Sequence, residues 1–176
     1  DEHGTTTLAN EALAQMLVIL GASGAGKSSF LRAGVLARLK RDRERFLVLP
    51  TVRPGRAAVT GTTGLQRALG LEHGLARSAM LGRIAELRAL VDEEMRRLTP
   101  SPNHGPVYTS PTVILPIDQA EELFAAGDEE AATAVKVIVE AVQSDQNLVL
   151  LLTIRSDSFD LLQGDPLLSR IPRELF

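Results

Sequence analysis

The sequence predicts a doubly wound α/β domain built on a parallel sheet. Three runs are apolar throughout rather than alternating, stretches of helical periodicity separate them, and the first run passes directly into a glycine-rich turn. The apolar runs are 16–20 (MLVIL), 113–117 (VILPI) and 148–154 (LVLLLTI). Strands covered by helices on both faces have no solvated side, so they carry no polar alternation. A fourth run, 46–52 (FLVLPTV), is a weaker strand because Pro50 has no N–H to give to a ladder.

Helical spacing follows the first strand from about 27 to 43, recurs at about 75–98, and returns at about 120–142. Two segments read as loops. One is 53–64 (RPGRAAVTGTTG); the other is 99–112, which holds four prolines. No internal repeat is present.

Composition narrows the function classes. The chain has 176 residues, 44% hydrophobic and 23% charged, with a formal net charge of −3. That suits one soluble domain and gives no general pull toward nucleic acid or an anionic membrane. There is no cysteine, which removes disulfides, thiol catalysis and cysteine-bound zinc. The start (DEHGTTTLANEALAQ) has no secretory pattern, and no apolar run approaches the ~20 residues of a membrane span. A cytoplasmic location is the resulting expectation. Residues 1–176 read as one core excised from a longer polypeptide, since no initiator Met is present and the last residues carry no terminating feature.

The basic stretch 38–45 (RLKRDRER) includes two acidic residues and closes an amphipathic helix, where cations suit the helix dipole. It reads as a solvated helix end, and nucleic acid is not expected as a partner. His3, His73 and His104 lie far apart without ligand spacing and receive no role.

The turn after the first strand carries the chemistry. Gly21-Ala22-Ser23-Gly24-Ala25-Gly26-Lys27-Ser28 matches G-x-x-x-x-G-K-[ST] in full, between an apolar strand and a helical pattern. Glycines let successive backbone N–H groups point into one concavity, and the following helix adds its positive N-terminal end. Lys27 supplies a full charge for the β- and γ-phosphates, and the Ser28 hydroxyl can ligate Mg²⁺. Ala22, Ser23 and Ala25 are small enough to keep the concavity open. The expected nucleotide-binding set is Gly21, Ser23, Gly24, Ala25, Gly26, Lys27, Ser28 and Ser29.

VILPIDQAEELF (113–124) puts Asp118 at the carboxyl edge of a strand, where open α/β sheets place ligands. A carboxylate there can serve the metal held by Ser28, so Ser28 and Asp118 form the expected metal pair. Asp118 followed by Glu121 is also a capping-box pattern that needs no ligand. Glu121 and Glu122 can each polarise an attacking water; the residues barely separate them, with a slight lean to Glu122. Arg155 ends the 148–154 run, where it can touch a γ-phosphate or simply pair with Asp157, Asp160 or Asp118.

Taken in order, GASGAGKSSFLRAGVLARL, VRPG, ILPIDQAEELF and LLTIRSDSF resemble the novel STAND NTPase family, relatives of the NACHT and NB-ARC signalling ATPases. The resemblance spans about 16–159, and Asp-Gln-x-Glu-Glu-Leu-Phe is its most specific part; Ala120 stands where an aromatic is usual. It implies that Asp118 is the Walker B aspartate, that Glu121 and Glu122 supply catalytic acidity, and that Arg155 is a sensor arginine. With Lys27, these are the expected catalytic residues.

The resemblance further implies a three-layer P-loop NTPase with sheet order 5-1-4-3-2. No fifth apolar run follows 154, which puts strand 5 beyond the chain end and leaves strand 1 at an unpaired edge. The implied function is an ATP/ADP- and Mg²⁺-dependent ATPase switch that self-oligomerises, with effector and sensor domains outside this chain. Two other readings remain open: a P-loop kinase of a small metabolite, and a nucleotide-gated binding module with little turnover. A regulatory GTPase is disfavoured because no N/T-K-x-D tetrapeptide occurs.

Overall fold

In the computed structural model, residues 14–72, 74, 76–98, 110–125 and 127–176 are described. The proline-rich stretch up to 109 and the three histidines lie outside them. Five strands form one sheet: β1 Met16–Gly21, β2 Phe46–Val48, β3 Thr112–Ile117, β4 Leu148–Arg155 and β5 Arg173–Leu175. Their spatial order is β2-β3-β4-β1-β5, and every pairing is parallel. This is the expected 5-1-4-3-2 order, with β4 lying between β1 and β3.

The apolar runs become central strands because helices cover both faces. Met16, Val18, Leu150 and Leu152 join the main core, against the helices Arg77–Leu98 and Glu129–Ser144. Ile19, Ile114 and Leu151 face the other way and pack with Leu31 and Leu36. The period-2 geometry of a strand thus feeds two separate apolar layers.

Helix Glu129–Ser144 begins where the Asp128 side chain accepts a hydrogen bond from the Ala131 N–H at 3.0 Å. The helix expected over 120–142 is therefore two elements, a 3₁₀ turn at Ala120–Phe124 and this helix. The helix after the glycine-rich turn is α at Lys27–Ser29, π over Phe30–Leu36 and α again at Ala37–Leu39. It ends before 43, in turns that lead to β2.

One expectation is corrected. Strand 5 lies within the chain, not beyond its end: Arg173–Leu175 pairs with Met16–Val18. Around it, Met16 N–H donates to Pro172 O (3.1 Å), and Phe176 N–H donates to Val18 O (2.9 Å). The strand is short, lies at a sheet edge and includes Arg173 and Glu174. It therefore carries none of the continuous apolar character that marks a central strand. Pro172 is tolerated because it precedes the strand. Strand β1 is consequently not an edge.

Strand β2 is also shorter than 46–52, for a physical reason. Its ladder with β3 holds through Val48↔Ile114, and pairing resumes as a bridge at Val52↔Ile117. Between those pairs β2 uses one more residue than β3. Pro50 and Pro116 both fall in this gap and neither has an N–H to give to the ladder, which suits a bulge there. Pairing then closes with Val52 N–H to Pro116 O and Asp118 N–H to Val52 O, both at 2.9 Å. The bulge delivers Arg53 beside Asp118, at the carboxyl edge of the sheet.

Candidate functional site

The turn leaving β1 is shaped by two glycines in the left-handed region, Gly24 at φ 77° and Gly26 at φ 80°. An L side chain at either would be strained, although space around both is open. Gly21 is constrained differently: a Cβ there would meet the Lys27 stem at 3.2 Å. The Lys27 ammonium donates to the carbonyls of Gly21 (2.6 Å) and Ala22 (2.7 Å), which holds its charge over the turn.

A cleft of about 490 Å³ opens above this turn. Residues 23–29 line it together with Gln119, Glu121, Glu122, Thr153 and Arg155. The expected binding residues Ser23, Gly24, Ala25, Gly26, Lys27, Ser28 and Ser29 are thus brought together with Glu121, Glu122 and Arg155. Gly21 is not on the wall and contributes through its carbonyl. The volume falls in the range of small-ligand sites.

Asp118 is fully buried next to this cleft. Its Oδ1 accepts from the hydroxyls of Ser28 and Thr153, each at 2.7 Å. Its Oδ2 faces cations: Arg53 Nε at 3.2 Å, Arg53 Nη2 at 3.1 Å and Arg32 Nη2 at 3.6 Å. Burial alone would raise the carboxyl's pKa. The two hydroxyl bonds, and then the charges of Arg53 and Arg32, outweigh that and hold it below the ordinary aspartate range. Asp118 is therefore an anion despite its burial. It does not cap the following turn, so the capping-box alternative is not what the carboxylate does.

Gln119 follows at φ 61°, the only non-glycine residue with positive φ among the described residues. Its N–H donates to Thr153 Oγ1 at 2.9 Å, so a single threonine hydroxyl joins the backbone after β3 to Asp118. A strained residue held this firmly beside a cleft is typical of functional sites.

The two glutamates are held at different points. Glu122 Oε2 accepts from Gly55 N–H at 2.7 Å, and Glu121 Oε2 accepts from Arg155 N–H at 3.3 Å. The Arg155 guanidinium pairs with Asp157 through Nε (3.0 Å) and Nη2, the simpler of the two roles open to it. That pairing draws the Asp157 carboxyl down below its usual range.

Five residues at the cleft or in contact with its carboxylates have no role that motif spacing assigns: Thr153, Arg53, Gly55, Arg32 and Gln119. Thr153 gave a signal, being the only polar residue inside the 148–154 run. Arg53 and Gly55 belong to the VRPG element at 52–55, which by itself implies no role for either.

The residues fit a magnesium nucleotide. The turn is bent through two left-handed positions that favour glycine, a backbone that can present N–H groups to an anion, with a fixed ammonium beside it. Among the described residues no cluster of three or more His, Cys, Asp or Glu is placed to hold a metal unaided. Mg²⁺ in nucleotide sites takes one or two protein oxygens and completes its shell with phosphates and water, a demand that the oxygens of Ser28 and Asp118 would meet.

Comparison with known proteins identifies the family. Residues 2–175 match the family described as Novel STAND NTPase 1. The chain belongs to that family. As a STAND NTPase it is a P-loop protein of the nucleotide-binding class. No curated protein matches the sequence significantly.

Among solved structures, a Walker-type ATPase of Pyrococcus abyssi is similar at 19% identity and TM-score 0.43, over 93% of this chain and 49% of that one. The cytoplasmic domain of the type VII secretion ATPase EccC of Thermomonospora curvata is similar at 14% identity and TM-score 0.44, over 89% of this chain and 18% of that one. A structure of EccC ATPases 2 and 3 with a signal sequence peptide gives 15% identity and TM-score 0.45, over 93% of this chain and 30% of that one. The STAND NTPase chain therefore spans less than half the length of each of these structures. Among its described residues, no helix is long and apolar enough to cross a membrane.

Proposed function

We propose that this STAND NTPase core binds Mg²⁺ with ATP or ADP in the cleft and hydrolyses ATP slowly, as the switch of a larger signalling protein. The observation that carries the reading is the 2.7 Å contact between the Ser28 hydroxyl and the Asp118 carboxylate at the mouth of the glycine-rich turn. Lys27 and backbone N–H groups of the glycine-rich turn bind the phosphates; Ser28 and Asp118 hold the metal. When bound, Mg²⁺ neutralises charge that develops on the β- and γ-phosphates.

Glu122 or Glu121 accepts a hydrogen bond from the attacking water and orients it, once released from the backbone N–H that each now engages. Arg155, on the same cleft wall, turns from Asp157 toward the γ-phosphate and reports its loss. Slow turnover suits a switch, because a switch depends on persistence of its bound state. Self-oligomerisation with ATP, effector and sensor domains outside these residues, and a cytoplasmic setting belong to the same proposal.

The strand order supports the ATPase reading over a metabolite kinase. With β4 between β1 and β3, the sheet has the arrangement that the STAND resemblance implies, and direct β1–β3 pairing would have favoured a kinase or GTPase. The test is calorimetric titration with ADP and ATP, followed by phosphate release with and without added sugars or nucleosides. Binding with slow release that ignores the acceptors supports the switch. Release stimulated by an acceptor, with transfer to it, supports the kinase.

A further inference from the structure

The bulge between β2 and β3 delivers the turn Arg53-Pro54-Gly55 to the cleft, and this turn touches two acidic residues at once. Arg53 engages Asp118 Oδ2 through Nε (3.2 Å) and Nη2 (3.1 Å), while Gly55 N–H, two residues on, engages Glu122 Oε2 at 2.7 Å. The turn is itself anchored, because Arg53 N–H donates to Thr63 O at 2.8 Å and Thr63 Oγ1 donates to Arg53 O at 3.0 Å. Further along the same loop, Val59 N–H, Thr60 N–H and the Thr60 hydroxyl all donate to Glu130.

A carboxylate offers about four lone-pair sites. Asp118 Oδ1 has two hydroxyls on it and Oδ2 has guanidinium N–H groups on it, so the anion is saturated. A divalent cation served by Asp118 must compete with a cation that the protein already supplies. Arg32 stands farther off, at 3.6 Å, leaving Arg53 as the main competitor.

We propose that Arg53-Pro54-Gly55 is a latch with two contacts, coupling metal acceptance at Asp118 to release of Glu122. While Arg53 holds Asp118, Gly55 keeps Glu122 on a backbone N–H. When Arg53 gives up Oδ2 to a divalent cation, the turn shifts and Glu122 is freed for water. Arg53 and Gly55 are thus positioning residues acting through the two carboxylates. The inference rests on the nucleotide reading above.

The test is ADP affinity of the full chain by calorimetry, with Mg²⁺ and with EDTA, read as the ratio of the two dissociation constants; turnover is not needed. Arg53→Gln removes the competing charge and should raise the Mg²⁺ enhancement by roughly tenfold, the scale of a hydrogen bond to a charged group. Arg53→Lys keeps charge but loses the two-atom fork, so it should fall between parent and Arg53→Gln. Both side-chain changes sit at a half-exposed position, and a melting curve confirms folding.

Glu122→Ala should also raise the ratio, and in the Arg53→Gln background it should add almost nothing, since the latch is already open. An unchanged ratio in Arg53→Gln with normal ADP binding overturns the latch and leaves the nucleotide site intact. Fully additive effects of the two substitutions overturn the coupling. Failure of the parent to bind ADP at all overturns the latch and the nucleotide reading together.

Discussion

Ser28 and Asp118 stand ninety positions apart in the chain, yet a 2.7 Å hydrogen bond joins the hydroxyl of one to the carboxylate of the other. The bond exists because β4 separates β1 from β3 and all three strands end at the same edge, with Gly21 paired to Arg155 and Ile117 paired to Leu152. A turn leaving β1 and an acid leaving β3 therefore converge beside Thr153 of β4.

The pair gives a first expectation. Ser28→Ala removes a candidate metal ligand and one hydroxyl from a buried anion, while the ammonium and the N–H nest stay in place. ATP turnover should drop by about 100-fold or more, the scale for losing one charge-stabilising group in an active site. ADP affinity measured in EDTA should change little. Equal loss with and without Mg²⁺ would assign Ser28 to phosphate binding alone.

Lys27 carries a second expectation. It is the only lysine or arginine among the cleft-lining residues of the turn itself, and its ammonium is held by two carbonyls. Lys27→Ala should abolish measurable nucleotide binding. Unchanged ADP affinity by calorimetry would remove the phosphate role.

For the glutamates, the expected phenotype is binding without cleavage. Glu122→Gln preserves the shape and the acceptor that meets Gly55 N–H, yet removes the charge needed to polarise water. ATP should remain bound, with phosphate release reduced by about 100-fold. If the Glu121→Gln, Glu122→Gln double variant still cleaves at the parent rate, the acid lies elsewhere.

What the sequence disclosed depended on how local the signal was. The Gly21–Ser28 motif is contiguous, so its spacing alone predicted a cradle. Central strands announced themselves because burial on both faces demands continuous apolar residues. Strand β5 did not: three residues at an edge, two of them charged, satisfy a ladder without any such pattern. Arg53 was illegible for another reason, since its contact with Asp118 depends on a one-residue bulge, at Pro50 beside Pro116 of β3, that local pattern does not announce. Thr153 was hidden inside an apolar run, where only a three-dimensional neighbour explains a hydroxyl. Arg155 could be placed at a strand end from sequence with Asp157 among three candidate partners, but the choice among the three could not be read there.

Proton linkage at Asp118 yields a pH expectation. Its carboxyl pKa is lowered in the folded state, so the stability it contributes is present above the unfolded value and is lost as pH falls through the folded one. The loss should therefore begin below about pH 4 and continue through more acidic values. Urea unfolding of the parent and of Asp118→Asn between pH 6 and about pH 3 measures it. The gap between the two should narrow as pH falls. A constant gap would mean that the carboxylate charge is not what the site stabilises.

Thr153 offers the most direct test of how the site is held together. Its hydroxyl donates to Asp118 Oδ1 and accepts from Gln119 N–H, and the residue is buried. Valine matches threonine in shape, so Thr153→Val opens no cavity. It leaves a buried anion short of one donor and a strained backbone N–H without its acceptor. Leaving buried polar groups unpaired costs about 1–3 kcal/mol each, which sets the expected loss in urea unfolding. The Asp118 pKa should also rise, because one of the bonds holding it down is gone. Thr153→Ser keeps the hydroxyl and should recover most of the stability and of the Mg²⁺-dependent nucleotide affinity. If valine proves as stable as the parent, another group takes over both bonds. If serine fails to rescue, packing of the threonine methyl, rather than the hydroxyl, is what the site requires.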